Sequence, residues 1–462
     1  MRGFIASIIV TITVLLAAAA TAGELKVGAA AVVITPPPGT PLAGYYTERP
    51  ADGVHDDLHA KAIVIEQDGS KVALVACDLV TLTRPVVEEA RQQIEKQTGL
   101  AGDRVMISAT HTHTGPLVLG NSSLTDNIGG KSSLAQQYRA KLPGLIAQSV
   151  AEANAKLAPA KASAGVGMTK GLVFNRRFFL KDGRVGWNPK KQDPNIFKPA
   201  GPVDPTVPVV YFESADGKPV ATYVNFAMHQ DTVGGTKISA DYAFPLSADL
   251  GKVRGDAMLT LFTIGTAGDA NQRDINSADP QKGFDEAAKI GGVLAAEVQK
   301  LYGTMKPVES FAPRVRSRII PLDLPKFTDE DVAKARKVAT TFGKNAAPFM
   351  DQVQAYKVLD VYARQGRPQE VEVQVIALSN DLAFVSLPGE IFTELGLYVK
   401  RRSPFKQTVI AELANGSVGY IPTRIAYEEG NYEPVSSRCA PGSGERLAAE
   451  AVKLLYELKK EK

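Results

Sequence analysis

Apolar runs of strand length alternate along this chain with segments of helical composition, which restricts the fold to the α/β class. Lys61–Glu66 and Lys71–Cys77 read as two strands joined at Gln67-Asp68-Gly69-Ser70, residues that suit a tight turn. Pro85–Thr98 has Pro at its start and Gly99 beyond its end, the usual asymmetry of a helix. Further strands are expected at Leu25–Ile34, Arg104–Ala109, Lys161–Met168, Met258–Ile264, Glu370–Leu378 and Leu382–Ser386. Val209–Glu213 and Pro219–Phe226 make a second hairpin about Asp216-Gly217. Helices are expected at Leu134–Leu157, interrupted by Pro143, and at Phe284–Leu301. Others are Thr328–Phe342, stopped by Gly343, then Pro348–Gln365 and a closing helix Gly444–Glu461. Proline-rich Gly186–Pro208 reads as loop. With neither a fixed repeat nor a dividing linker, residues 23–462 are expected to form one large layered domain, its β-sheets flanked by helices.

The first 22 residues stand apart. Arg2 supplies a short positive region, Phe4–Ala20 is apolar, and Ala20-Thr21-Ala22 suits cleavage after Ala22. This reads as a signal peptide, so the protein is expected to be exported, periplasmic or secreted, with no membrane span in the mature chain. The whole chain carries 53 basic and 49 acidic residues, a net charge of +4 that argues against a nucleic-acid or membrane-surface partner. Lys400-Arg401-Arg402, the one basic run, reads as a solvated helix end. Two cysteines exclude a disulfide scaffold and a Cys-rich metal site. Cys77 ends an apolar strand and reads as a small buried hydrophobe, while Cys439 falls in a polar loop.

Five histidines concentrate the chemistry. His111 and His113 lie two apart in Thr110-His111-Thr112-His113-Thr114-Gly115-Pro116, just past a strand. In extended backbone such residues project to one side. Two imidazoles so placed can share a metal, or one can bind it while the other moves protons; they can equally be loop histidines satisfied by backbone. His229 follows another strand, and strand ends of α/β sheets gather ligand sites. His55 and His59 flank Asp56-Asp57 and could also form a His/Asp cluster, the competing metal site. Glu390 follows an apolar strand and the turn Pro388-Gly389, where a helix N-terminus would also favour an acid. Tyr420 sits in the Gly-rich stretch Asn415–Pro422, with Tyr427 and Tyr432 beyond it.

Taken in order, these segments resemble the neutral/alkaline ceramidase family, zinc amidohydrolases that cleave the amide of ceramide. Ala109-Thr110-His111-Thr112-His113-Thr114-Gly115-Pro116 is similar to the family's A-T-H-T-H-S-G-P. Asn175-Arg176, Asn225-Phe226-Ala227-Met228-His229, Ile238-Ser239-Ala240-Asp241 and Leu387-Pro388-Gly389-Glu390-Ile391-Phe392-Thr393 resemble further motifs. Tyr420 and Tyr432 keep the family's spacing, with Glu433 next. The resemblance implies zinc held by His111, His229, Glu390 and Tyr420, with His113 as general acid/base. It implies that Arg176 and Tyr432 polarise or stabilise the reacting amide, and that the substrate is a small-molecule or lipid N-acyl compound. Two departures bear on substrate. Gly268-Asp269-Ala270-Asn271 places Asn271 where the family has a serine at the ceramide head group, and an amide is not a nucleophile. The family's C-terminal immunoglobulin-like domain is expected to be missing, since the chain ends shortly after Tyr432. A zinc esterase or lactonase, or an inactive metal-retaining binding protein, are the alternatives on the same scaffold.

Overall fold

The computed structural model describes residues 23–118, 122–342 and 347–461. The leader and Gly343 lie outside these residues.

The largest sheet has nine strands. From one edge its path runs Val105–Ala109, Ser70–Cys77, His59–Gln67, Lys26–Val33, Ala158–Met168, Thr206–Ser214, Pro219–Phe226, Leu259–Ile264, with Lys306–Pro307 added beside Ala158–Met168. The pairs at the two edges are parallel; the strands between them run antiparallel. A second sheet orders Ser310–Leu322, Gln369–Ser379, Leu382–Ser386 and Gln407–Ala411, the last pair parallel.

Strand alternation assigns the faces. In His59–Gln67, Ala62 and Val64 join the core beneath helices Arg84–Thr98, Ser133–Ala155, Ala243–Arg254 and Phe284–Tyr302. Ile63 and Ile65 face the other way, toward Ile376, Leu378, Phe384 and Val409 of the second sheet. Val371, Val373 and Val375 on that sheet's far side pack under helices Thr393–Arg402 and Ser443–Lys460. The result is four layers, helices–sheet–sheet–helices, which bears out the layered α/β expectation.

Several local expectations need correction. Helix Ser133–Ala155 runs through Pro143 without interruption, because burial of Leu142, Ile146, Val150 and Ala153 holds the turns on both sides. Gly186–Pro208 is not all loop: Ile196–Pro199 pairs with Arg177–Leu180, which pairs in turn with Val185–Trp187. Cys439, expected in a polar loop, is fully buried in the core of the second sheet; Cys77 is buried as expected, and both are free. In the last turn of helix Thr393–Arg402, Lys400 is bonded to Asp204 at 2.6 Å, while Arg401 and Arg402 are exposed. Gly99 closes its helix with φ 70°, a conformation that favours glycine.

Candidate active site

Residues from both sheets meet where strands end. His111 follows Val105–Ala109, His229 follows Pro219–Phe226, Glu390 follows Leu382–Ser386, and Tyr420 lies beyond Gln407–Ala411. Residues 412–415 bring the sheets together there. Glu412 N donates to Ile264 O at 3.1 Å, Ala109 N to Leu413 O at 3.1 Å, and Asn415 N to Ile107 O at 2.7 Å. The edge strands of the large sheet are thereby stitched to the loop that follows the second sheet.

His111 has φ 78°, a left-handed backbone costly for a residue with a Cβ. Its amide donates to Leu79 O at 2.8 Å and its Nδ1 donates to Val80 O at 2.8 Å. His229 Nδ1 likewise donates to Ala267 O at 2.8 Å. Backbone carbonyls thus hold the proton on Nδ1 in both rings and leave each Nε2 lone pair free, the usual support for a metal-binding imidazole. Both Nε2 atoms face the same carboxylate oxygen. Glu390 Oε2 lies 3.5 Å from His111 Nε2 and 3.3 Å from His229 Nε2. The Tyr420 hydroxyl is 3.5 Å from His229 Nε2. Buried Glu390 Oε2 has no hydrogen-bond partner, and buried acceptors ordinarily have one. Two imidazoles facing one unsatisfied carboxylate oxygen, with a phenol beside one of them, are a donor set that could hold a divalent cation.

His113 faces the same point. Its Nε2 is 3.3 Å from His111 Nε2, and the ligating atoms of His111, His113 and His229 lie within 4.8 Å of one another. Gly44 permits this approach: a Cβ there would fall 2.7 Å from His113 Cγ. Burial, reinforced by the other two imidazoles, pushes the His113 pKa down to about 3 against the pull of Asp231. The ring is therefore neutral at neutral pH and able to accept a proton. Its buried Nδ1 is 3.8 Å from Asp231 Oδ1 and makes no hydrogen bond. The Tyr45 hydroxyl donates to Asp231, and Lys282 lies 3.3 Å from it. Burial would raise the Asp231 pKa, but His113, Lys282 and Tyr45 hold it below the ordinary carboxylate value. Sequence reasoning passed over Asp231, although it stands two residues past His229.

The remaining candidates form a buried shell. Arg176 Nε donates to Glu433 Oε1 at 2.8 Å and its Nη2 to Gly268 O at 2.8 Å, while its Cζ lies 5.4 Å from the Tyr420 ring centroid. Burial drives the Tyr420 pKa well up, with Arg176 opposing. Tyr432 packs on Trp187 at 4.3 Å between ring centroids and on Tyr420 at 5.5 Å. Asn271 is held away from free contact: its Nδ2 donates to Asn188 Oδ1 at 3.1 Å and its Oδ1 accepts from Arg273 N at 3.0 Å. Glu412, unnoticed in the sequence, is fully buried; burial, then the neighbouring Glu390, raises its pKa well above the ordinary value, although Ile391 N donates to its Oε2 at 2.7 Å. His55 and His59 do not form the competing cluster. His55 stacks on Phe284 at 3.9 Å and its Nδ1 meets Asp56 Oδ2 at 2.7 Å, while His59 N donates to Asp78 Oδ2 at 2.9 Å. Among the described residues, the one cluster of three or more His, Cys, Asp or Glu side chains close enough to share a metal ion is that of His111, His113 and His229.

His111, His113, Glu390, Tyr420 and Tyr432 line one cleft of about 1220 Å³. A four-layered α/β scaffold thus brings His111 and Glu390 to the wall of one large cleft, with His229 Nε2 3.3 Å from Glu390 Oε2, an arrangement that can hold a metal ion. Residues 25–242, the span that carries the His111, His113, Arg176, His229 and Asp241 motifs, match the family described as neutral/alkaline non-lysosomal ceramidase, N-terminal. The fold is similar to that of the neutral ceramidase from Pseudomonas aeruginosa, with TM-score 0.76 and 20% identity, covering 95% of this chain and 75% of that one. A structure titled "Ceramidase complexed with C2" superposes with TM-score 0.76 at 19% identity, covering 95% of this chain and 76% of that chain.

Proposed function

We propose that this protein is an exported, zinc-dependent hydrolase of linear amide bonds, ceramidase-like in mechanism, with residues 23–462 as its catalytic domain. The observation that carries this reading is the convergence of His111 Nε2 and His229 Nε2 on the unpartnered Glu390 Oε2. His111, His229, Glu390 and Tyr420 would hold the ion. Bound there, zinc would polarise the amide carbonyl and bring the pKa of water toward neutrality.

The chain's own residues supply the rest. His113, neutral and facing the same point, accepts the proton of the attacking water and returns it to the departing nitrogen. Without that return the amine would leave as an unstable anion. Tyr432, on the cleft wall, offers a hydroxyl to the developing oxyanion. Arg176 acts from behind: its fixed positive charge lies against Tyr420 and favours negative charge at that end of the site. Asn271 in place of the family serine disfavours long-chain ceramide and favours a smaller or more polar N-acyl compound. Its amide is larger and already engaged with Asn188. Export rests on the leader ending near Ala22; no helix among the described residues is long and apolar enough to cross a membrane.

One experiment tests the proposal as a whole. The purified protein is assayed for metal content and for turnover of ceramide, N-acyl amino acids and matched esters, before and after chelation and zinc return. The expected result is about one zinc per chain, amide hydrolysis lost on chelation and regained with zinc. Stoichiometric zinc with no amide turnover would leave only a binding protein; faster ester than amide turnover would indicate an esterase. For substrate choice, Asn271→Ser is expected to raise kcat/KM on ceramide relative to short N-acyl amines. Wild-type preference for ceramide, unchanged in that variant, would refute the assignment of Asn271.

A further inference from the structure

The three-stranded sheet of Arg177–Leu180, Val185–Trp187 and Ile196–Pro199 has an inner and an outer part that differ in chemistry. Its inner part is anchored beside the candidate site. Arg177 donates to Glu433 Oε2 and to Glu429 Oε2, each at 3.0 Å, Phe178 is buried, and Trp187 packs on Tyr432. Its outer part does the opposite. Ile196 pairs with Leu180 and Lys198 with Phe179, so Phe197 is the extra residue of a β-bulge. The bulge turns its ring outward, where Phe197 is 68% exposed, the most exposed of the large apolar side chains among the described residues. Lys198 Nζ sits 5.5 Å from the Phe179 ring centroid and 5.8 Å from that of Phe197.

The charges around this tip are mostly positive. Lys181, Lys190 and Lys198 are exposed and form no salt bridge among the described residues. Arg184 is paired with Asp182 at 2.6 Å, Asp193 caps Asn195, and Lys191 is engaged by Gln281 at 2.6 Å. Lys198 thus stands beside the exposed phenylalanine, while Lys181, whose amide donates to Asn195 O at 2.8 Å, and Lys190, whose carbonyl accepts from Asp193 N at 3.2 Å, belong to the same tip; the Asp193 carboxylate turns to Asn195. The whole-chain charge of +4 hides this local excess.

We propose that this tip docks the protein on an anionic lipid surface. An aromatic ring enters the interface between head groups and acyl chains, and lysines with apolar stems set their ammonium groups among lipid phosphates. A single exposed phenylalanine with a lysine beside it and further lysines on the same tip matches a lipid interface better than a shape-specific protein one. Because the same sheet carries Trp187 against Tyr432, docking there would bring the catalytic cleft close to the membrane plane. The inference deepens the reading of a lipid-like N-acyl substrate but does not depend on hydrolysis.

The test is co-sedimentation of the full protein with vesicles of phosphatidylcholine alone and of phosphatidylcholine with one-quarter phosphatidylglycerol. Binding is expected to the anionic vesicles only, weakening in raised salt. Phe197→Asp and Lys198→Glu should each weaken it by about tenfold or more. Both variants are at exposed positions, and retained turnover of a soluble N-acyl substrate shows that each is folded. Equal binding to both vesicle types, no binding to either, or variants that bind like the wild type would overturn the proposal. Absence of soluble-substrate turnover in the wild type would instead refute the hydrolase reading and leave the docking result standing.

Discussion

At the scale of single residues, the candidate site separates atoms that can hold a cation from atoms that can move a proton. His111 offers a free Nε2 because Val80 O takes the Nδ1 proton. His111→Ala should therefore abolish both stoichiometric zinc and amide turnover; full metal content in that variant would break the assignment. His113 has no such carbonyl partner on Nδ1, only Asp231 at 3.8 Å. His113→Ala should keep the zinc and lose about 10²–10⁴ in rate, the usual size of general acid–base catalysis. Loss of zinc would show instead that all three histidines are ligands, the set that their mutual distances also allow. The same ring predicts a pH effect on the chelated protein. Folded, His113 titrates at about 3; unfolded, it titrates near about 6.5. Between those values the unfolded chain binds a proton that the folded chain does not, so stability present above about pH 6.5 falls as pH is lowered. The slope is up to about 1.4 kcal/mol per pH unit for each such histidine. Urea unfolding from pH 7 to 5 should show a smaller fall for His113→Ala than for the wild type, and equal slopes would refute the burial argument.

At the scale of elements, the strand-end turns are shaped by close backbone contacts. Gly268 lies against Glu390: a Cβ there would fall 2.8 Å from the Glu390 carbonyl carbon. Gly268→Ala must displace the backbone that presents Glu390, and zinc affinity should drop by at least about tenfold, the range seen when support of a ligand is lost. Titration against a chelator of known affinity would measure it, and unchanged affinity would mean that the turn yields freely. Asp269 fixes the same turn from the other side, accepting from Thr393 N, Thr393 Oγ1 and Asn175 Nδ2 at 2.8 Å each. These turns were legible in the sequence as Gly-rich segments after apolar runs. Their mutual contact was not, because residues more than a hundred apart in the chain share one wall.

At the scale of the whole molecule, Asn415 is the rivet between the two sheets. Its Oδ1 accepts from Ile107 N at 3.0 Å in the large sheet. Its Nδ2 donates to Gln374 Oε1 at 2.9 Å and Ser386 Oγ at 3.2 Å in the second sheet. Its φ of 59° suits asparagine better than alanine. Asn415→Ala strands several buried polar groups, each costing about 1–3 kcal/mol, so destabilisation of about 3 kcal/mol or more is expected in urea unfolding. A loss below about 1 kcal/mol would show that the sheets are joined by apolar packing alone. Nearby, Arg91 bonds Glu372 Oε2 at 2.7 Å and Oε1 at 3.1 Å across the same boundary.

By itself, the sequence determined the α/β class, most element positions, and the order of the histidine, glutamate and tyrosine motifs. Local periodicity and turn chemistry are written in neighbouring residues, which is why the hairpin at Asp68-Gly69 and the helix ending at Gly99 could be read directly. Only the tertiary structure decided what those motifs do to one another. It turned His111 and His229 onto one oxygen of Glu390 and brought Asp231 behind His113. It also left His55 and His59 outside the one group of metal-binding geometry among the described residues, and it aimed Phe197 into solvent through a bulge that no periodicity announces. The physical reason is that pairing of remote strands, and the burial that leaves one acceptor without a donor, are properties of the packed chain and not of any short stretch of it.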